Sequence, residues 1–220
     1  LAMKDPRVTL CGRLTLTWDG TDLGSSLPGR QGRLLFAYLT LNRQRPVRRD
    51  ELVEALWADE GLPSGGEGLL APPLSRLRKA LGPGRLEGRS ELGLIFGEQA
   101  WIDWEAAQVA IGKARDLLET GQHQAAYSQA TDAEQVFSGG LLPGLEAGWI
   151  DDYRRESEGL ELQALELIAR AGTSGACRAS RGRGSSLPRV VPNCTDRDDR
   201  SPGQHRRGTS RIRGLPDSAA

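Results

Sequence analysis

The hydrophobic pattern begins with a short period and then lengthens. "RVTLCG" and "LTLTW" are apolar or β-branched at close spacing, and "WDGTDL" offers an Asp-Gly turn between Trp18 and Thr21, so residues 7–24 predict a small antiparallel sheet. Leu34, Leu35, Tyr38 and Leu41 then fall at i, i+1, i+4 and i+7, the stripe of a helix from about Arg30 to Asn42. Pro46 in "RQRPV" cannot continue it. A second helix over 50–58 turns Leu52, Val53, Leu56 and Trp57 inward, and Asp50 and Glu51 suit its positive N-terminal end. "DEGLPSGGEG" reads as a loop.

A third helix follows. Leu70, Leu74, Leu77 and Leu81 are spaced 4, 3 and 4 apart and share one face. Ser75, Arg76 and Lys79 point the opposite way, and Arg78 lies near the flank of the apolar stripe. Pro73 disfavours the α region at Pro72, and Pro72 does the same at Ala71. The expected start is therefore Pro73, where proline is tolerated as a first helical residue, with the preceding turn lost or kinked. "GPG" ends the helix. "RLEG" and "LGLIF" read as two strands joined by "RSE", a hairpin with Arg85 and Arg89 near its tip.

Beyond residue 100 the period is helical throughout. Asp103 is placed to cap a helix with the stripe Ala107, Ala110, Ile111, Ala114, Leu117 and Leu118, ending at Gly121. A second helix over 123–138 uses Ala126, Ala130, Ala133, Val136 and Phe137. Small residues on both allow close approach, as in helical hairpins of the tetratricopeptide type. "SGGLLPGLEAGW" is a loop, and a third helix runs from about Trp149 to Ala171. After Gly172 the texture changes. Residues 173–220 hold no Phe, Tyr or Trp and no periodicity, too little apolar surface to offset ordering entropy, and disorder is expected.

Charge refines this division. The chain has 29 basic and 29 acidic residues, but residues 1–100 carry 14 against 12, residues 101–172 carry 5 against 13, and residues 173–220 carry 10 against 4. Only a local basic face could meet nucleic acid. The acidic middle segment suits protein contacts instead.

Candidate chemistry is sparse. Cys11, Cys177 and Cys194 form no CxxC pair, and with only His123 and His205 to assist, neither a disulfide framework nor a metal site is expected. No phosphate-binding GxxxxGK[ST] and no GxSxG occurs, so no catalytic residues, enzyme activity or cofactor are expected. No apolar run approaches the roughly 18 residues of a membrane helix, and the start does not read as a signal peptide, so a cytoplasmic setting without membrane association is expected.

"RPVRRDELVEALW", then "LSRLRKALG" and a hairpin, resembles the winged-helix DNA-binding domain of OmpR/PhoB-type regulators. Followed by "WIDWEAA", "FSGGLLPG" and "WIDDYRRE", it is similar to the Streptomyces antibiotic regulatory protein family. The resemblance covers about residues 7–171. It implies an α+β fold: an N-terminal winged helix-turn-helix with a small β-sheet and a wing hairpin, then an all-α bacterial transcriptional activator domain of tetratricopeptide-like helices, then the disordered tail. The implied boundaries are 1–99, 100–172 and 173–220. The implied function is sequence-specific transcriptional regulation, activating secondary-metabolism genes. The third helix would enter the major groove of double-stranded DNA, at direct repeats near promoters, with the wing on the backbone. RNA polymerase and a second copy of the chain are the implied protein partners. Carried over onto this sequence, Ser75, Arg76, Arg78 and Lys79 occupy the recognition-helix motif, and Arg85 and Arg89 the wing.

Three features depart from the family pattern. Related recognition helices lack the proline pair. Arg48 stands where relatives often carry a capping Ser or Thr, removing a capping oxygen and adding charge near the expected DNA backbone. The tail reads like an out-of-frame stretch of a GC-rich gene where relatives continue with helical hairpins. On residues alone, Arg76 and Lys79 could be a solvated helix face, and Arg78 an internal ion pair. The alternative functions are a helical protein–protein interaction module with impaired DNA reading, and an inactive truncated product.

Overall fold

A computed structural model describes residues 6–58, 66–97 and 99–181. Strand β1 (Arg7–Thr9) pairs antiparallel with β2 (Thr15–Trp18), setting buried Val8 opposite buried Leu16. β3 (Thr21–Asp22) follows across the expected turn, where Asp19 and Gly20 have φ of 50° and 79°. Positive φ at both central residues is what a tight right-twisted hairpin demands. Helix α1 (Gly29–Leu41) is the hub, with Leu34, Leu35, Phe36, Ala37 and Leu39 all buried. A side chain at Gly32 would put its Cβ 2.4 Å from Pro28 Cγ, so only glycine lets the chain turn into α1 there.

β4 (Val47–Arg48) leads into α2 (Arg49–Trp57), and a 3-10 turn (Gly66–Leu70) leads into α3 (Ala71–Leu81). Strands β5 (Leu86–Glu87) and β6 (Glu91–Leu94) form the wing, and β4 joins them in the order β4-β6-β5. β7 (Trp101–Ile102) returns parallel to β1 and completes the order β3-β2-β1-β7. Three helices between a small sheet and a hairpin make a winged helix-turn-helix.

Helices α4 (Asp103–Glu119), α5 (His123–Phe137) and α6 (Gly148–Arg181) follow. Ala107 and Ala114 on α4 and Ala126, Ala130 and Ala133 on α5 are buried, and small side chains at these positions let the helices approach as a tetratricopeptide-like hairpin. α6 turns Ile150, Ala164, Leu167 and Ala171 inward. It does not stop at Ala171 as its stripe predicts: it continues to Arg181, nine residues (173–181) into the span expected to be disordered. Extending a formed helix adds a hydrogen bond for each residue fixed without a new nucleus, so it needs no apolar stripe. The remaining tail and its out-of-frame reading lie outside the described residues.

One hydrophobic core runs from Val8 through α1 and α4 to Leu167. Polar bonds reinforce it. The buried Asp103 carboxylate accepts the N–H groups of Leu10 (2.8 Å), Cys11 (2.9 Å) and Trp104 (2.8 Å). The sequence reads Asp103 as a helix cap, but the cap position is Ile102; Asp103, the first residue of α4, serves the next N–H and braces the end of β1. Beyond it, Gly12 donates to the Gly140 carbonyl (2.7 Å) and Leu142 to that of Leu10 (2.9 Å). Arg154 then donates to the carbonyls of Leu141, Leu142 and Leu145. The "FSGGLLPG" and "WIDDYRRE" stretches are therefore two halves of one structural knot.

At the other end of this junction Arg43 grips Glu105 with two bonds of 2.6 Å. The Trp149 indole N–H donates to the Ala55 carbonyl of α2 (3.0 Å), and its ring meets Tyr38 edge-on at 5.1 Å. Trp149→Phe keeps an aromatic ring and removes the donor. It is expected to lower stability by about 1 kcal/mol, read as a shift in the urea midpoint.

Candidate nucleic-acid interface

The basic face of α3 follows from its leucine stripe. Leu74, Leu77 and Leu81 are buried with Pro73, which forces Ser75, Arg76, Arg78 and Lys79 outward, and all four are exposed. Among the described residues the side chains of Ser75, Arg76 and Lys79 have no hydrogen-bond or ion-pair partner. They are a polar edge held on a rigid helix.

The start of α3 differs from expectation. The helix begins at Ala71, with both prolines in its first turn, and the 3-10 turn abuts it through Leu70 at φ −74° and ψ −21°. No turn is lost. The first four N–H groups of a helix have no partner within it, so missing donors cost nothing there. Burial of Leu70, Pro73 and Leu74 offsets the crowding that disfavours the α region before proline.

The wing arginines do not sit together. The turn is Gly88-Arg89-Ser90, so Arg89 is at the tip and exposed. Arg85 is at the base, before β5, and not near the tip. Its guanidinium donates to the Leu81 carbonyl (2.6 Å), pairs with Asp19 (2.7 Å) and lies 4.6 Å from the Trp18 ring centroid. It closes the end of α3 against the first sheet. Arg78 donates to the Gly88 carbonyl (2.8 Å), a backbone acceptor in place of either partner the sequence offered.

Arg48 is the N-cap of α2 and makes no capping bond; it pairs with Asp50 at 2.9 Å. Its neighbour Arg49, which sequence reasoning passed over, donates through its side chain to the Arg89 carbonyl (3.0 Å) and through its backbone to that of Ser90 (3.2 Å). Nothing in the "RPVRRD" pattern distinguishes the two arginines; strand pairing of Arg48 with Glu91 decides which one meets the turn.

Behind this face, Glu51 accepts from Tyr38 Oη (2.6 Å) and from Arg45 (2.9 Å). The Arg45 bond, chiefly, holds the Glu51 carboxyl below its ordinary range. A lowered folded value gives stability that is present above the ordinary carboxylate range and lost as pH falls through the lowered one. The melting-temperature gap between the wild type and Glu51→Gln is therefore expected to be widest near neutrality and to narrow as pH falls below the ordinary carboxylate range.

Comparison with known proteins joins these observations. No family model matches the chain. It is 41% identical over 80 residues to the "Transcriptional regulatory protein EmbR" of Mycobacterium tuberculosis, covering 36% of this chain and 20% of that protein. It is 29% identical over 162 residues to the "Regulatory protein AfsR" of Streptomyces coelicolor, covering 73% of this chain and 16% of that one. The solved structure of Mycobacterium tuberculosis EmbR in complex with a low-affinity phosphopeptide superimposes with a TM-score of 0.69 at 24% identity, over 81% of this chain and 48% of the other. The same order of winged helix and helical hairpins thus spans both halves of the chain. The chain is thus similar to bacterial transcriptional regulators along most of its described length. It spans a fifth or less of the length of the curated relatives it matches.

Against the family pattern that its sequence resembles, the chain keeps the order of elements and alters two details. The proline pair is absorbed in the first turn of α3, upstream of Ser75. The missing cap at Arg48 leaves the first-turn carboxylates Asp50 and Glu51 to face the helix dipole. Among the described residues, no helix is long and apolar enough to cross a membrane.

Proposed function

We propose that the chain is a cytoplasmic, sequence-specific DNA-binding transcription regulator, an activator of secondary-metabolism genes. Residues 1–99 read double-stranded DNA, and residues 100–172 make protein contacts, with a second copy of the chain and with RNA polymerase. Ser75, Arg76 and Lys79 meet the major groove, where an arginine fork matches guanine bidentately, and Arg89 meets a phosphate at the wing. Arg48 supplies charge beside the backbone. The observation that carries this reading is the cationic edge of Arg76 and Lys79 on α3, without partners among the described residues and exposed on a helix whose other side is packed. The printed descriptions of the two relatives, both regulators, support it.

The test is selection of the full-length chain on a random duplex pool, beside the Arg76→Ala/Lys79→Ala variant. An enriched direct repeat that the variant fails to enrich is the expected result. Weak, salt-sensitive binding without sequence preference, equal in both proteins, overturns base reading and leaves the interaction-module or inactive-product alternatives.

A further inference from the structure

The wing's turn is tied down carbonyl by carbonyl. Gly88 O accepts from Arg78 on α3 (2.8 Å), Arg89 O from the Arg49 side chain (3.0 Å), and Ser90 O from the Arg49 backbone N–H at the start of α2 (3.2 Å). Three consecutive acceptors of one turn are thus fixed to the two helices of the helix-turn-helix. The turn itself leaves no slack. Gly88 has φ +103°, and a Cβ there would lie 1.7 Å from the Glu91 carbonyl oxygen. With its backbone held, Arg89 is the residue whose side chain stands outward at the tip, without a partner among the described residues.

We infer that Arg78 is a positioning residue: it sets the distance between the recognition helix and the wing tip, and it is not a phosphate contact. The inference rests on the DNA-reading function proposed above. An arginine already donating to a backbone carbonyl loses that bond if it turns to a phosphate, and the turn loses one of its three ties. Held in place, it presets Arg89 at a fixed offset from Arg76 and Lys79, so the order of the wing is established before DNA arrives. Arg85 closes the opposite end of the same unit, at the base of the hairpin. Two of the arginines that a basic-residue pattern marks as readers thereby hold the frame on which the others read.

The roles separate in the salt dependence of binding. Loss of a phosphate contact lowers the slope of log affinity against log salt by about 0.9, whereas loss of a positioning bond leaves it unchanged. Full-length Arg78→Ala is expected to bind the selected repeat about tenfold more weakly with the wild-type slope, and Arg89→Ala to show the reduced slope. Without DNA, hydrogen exchange of Arg78→Ala is expected to speed up at the Arg49 amide, which bonds the turn, and to stay unchanged at the Gly82 amide, which reports the end of α3. Gly88→Ala disturbs the same turn without removing a charge and is expected to match Arg78→Ala in both affinity and slope. A slope reduced by about 0.9 in Arg78→Ala overturns the inference, as does unchanged exchange at Arg49 or full affinity in Gly88→Ala. A wild type that selects no sequence removes the DNA-reading function instead, and the exchange result still decides whether Arg78 holds the turn.

Discussion

Replacing Asp103 with alanine is expected to remove about 3 kcal/mol of folding stability. The carboxylate is 2% exposed and accepts the backbone N–H groups of Leu10, Cys11 and Trp104 at 2.8–2.9 Å. Burial pushes its pKa up, while the same N–H bonds pull it down. The substitution removes the cost of desolvating the carboxylate but orphans donors that water does not reach, and the second effect is the larger. Nothing adjacent can replace the acceptor. The Cys11 thiol is itself pushed up to about 12, by burial first and by Asp103 second, and sulfur accepts hydrogen bonds weakly. The loss also spreads, because the Leu10–Leu142 and Gly12–Gly140 bonds depend on the segment that Asp103 holds. Urea unfolding of the full chain measures it: a lower midpoint at an unchanged slope is expected, with Asp103→Asn intermediate. A loss below about 1 kcal/mol would show that packing alone holds the end of β1 against α4.

Arg76→Ala is expected to weaken binding to the selected repeat about 10- to 100-fold and to relax preference at one guanine, the worth of a bidentate fork. Lys79→Ala should weaken binding to all sequences and lower the salt slope by about 0.9, the mark of one phosphate. Combined, the two remove discrimination. Neither side chain has a partner among the described residues, so both variants should keep wild-type stability within about 0.5 kcal/mol. That separation matters: a fall in affinity with an unchanged urea midpoint assigns the loss to the interface and not to the fold. Titrations of the two single variants at several salt concentrations distinguish base reading from backbone contact.

Local order along the chain is legible in its sequence. The leucine spacing over 70–81 places the outward face of α3 correctly, and Asp19-Gly20 makes the hairpin that its dipeptide signals. The alanine stripes of α4 and α5 correctly pair those helices. Periodicity is a property of neighbours, and each of these features depends on residues within a turn or two. The two prolines misled for the same reason. A local steric preference places the start of α3 at Pro73, and burial against distant residues moves it to Ala71. In α6 the apolar pattern ends at Ala171 but the helix runs to Arg181, since extension needs only continuity with the turn before it.

Which basic side chains remain free was a tertiary matter. Arg76, Arg78, Arg85 and Arg89 look equivalent as residue types in a basic stretch. Their fates differ because Arg78 meets a carbonyl 10 residues away and Arg85 a carboxylate 66 residues away, while Arg76 and Arg89 meet no partner among the described residues. Asp103 reads as a cap until Leu10 and Cys11, just past β1, supply two more donors from 93 and 92 residues away. A hydrogen bond is directional and short-ranged, so its partner is chosen only when chain closure brings the groups within about 3 Å. Hydrophobic pattern sets which face of an element is buried; closure of the chain sets what each polar group on the other face has left to offer.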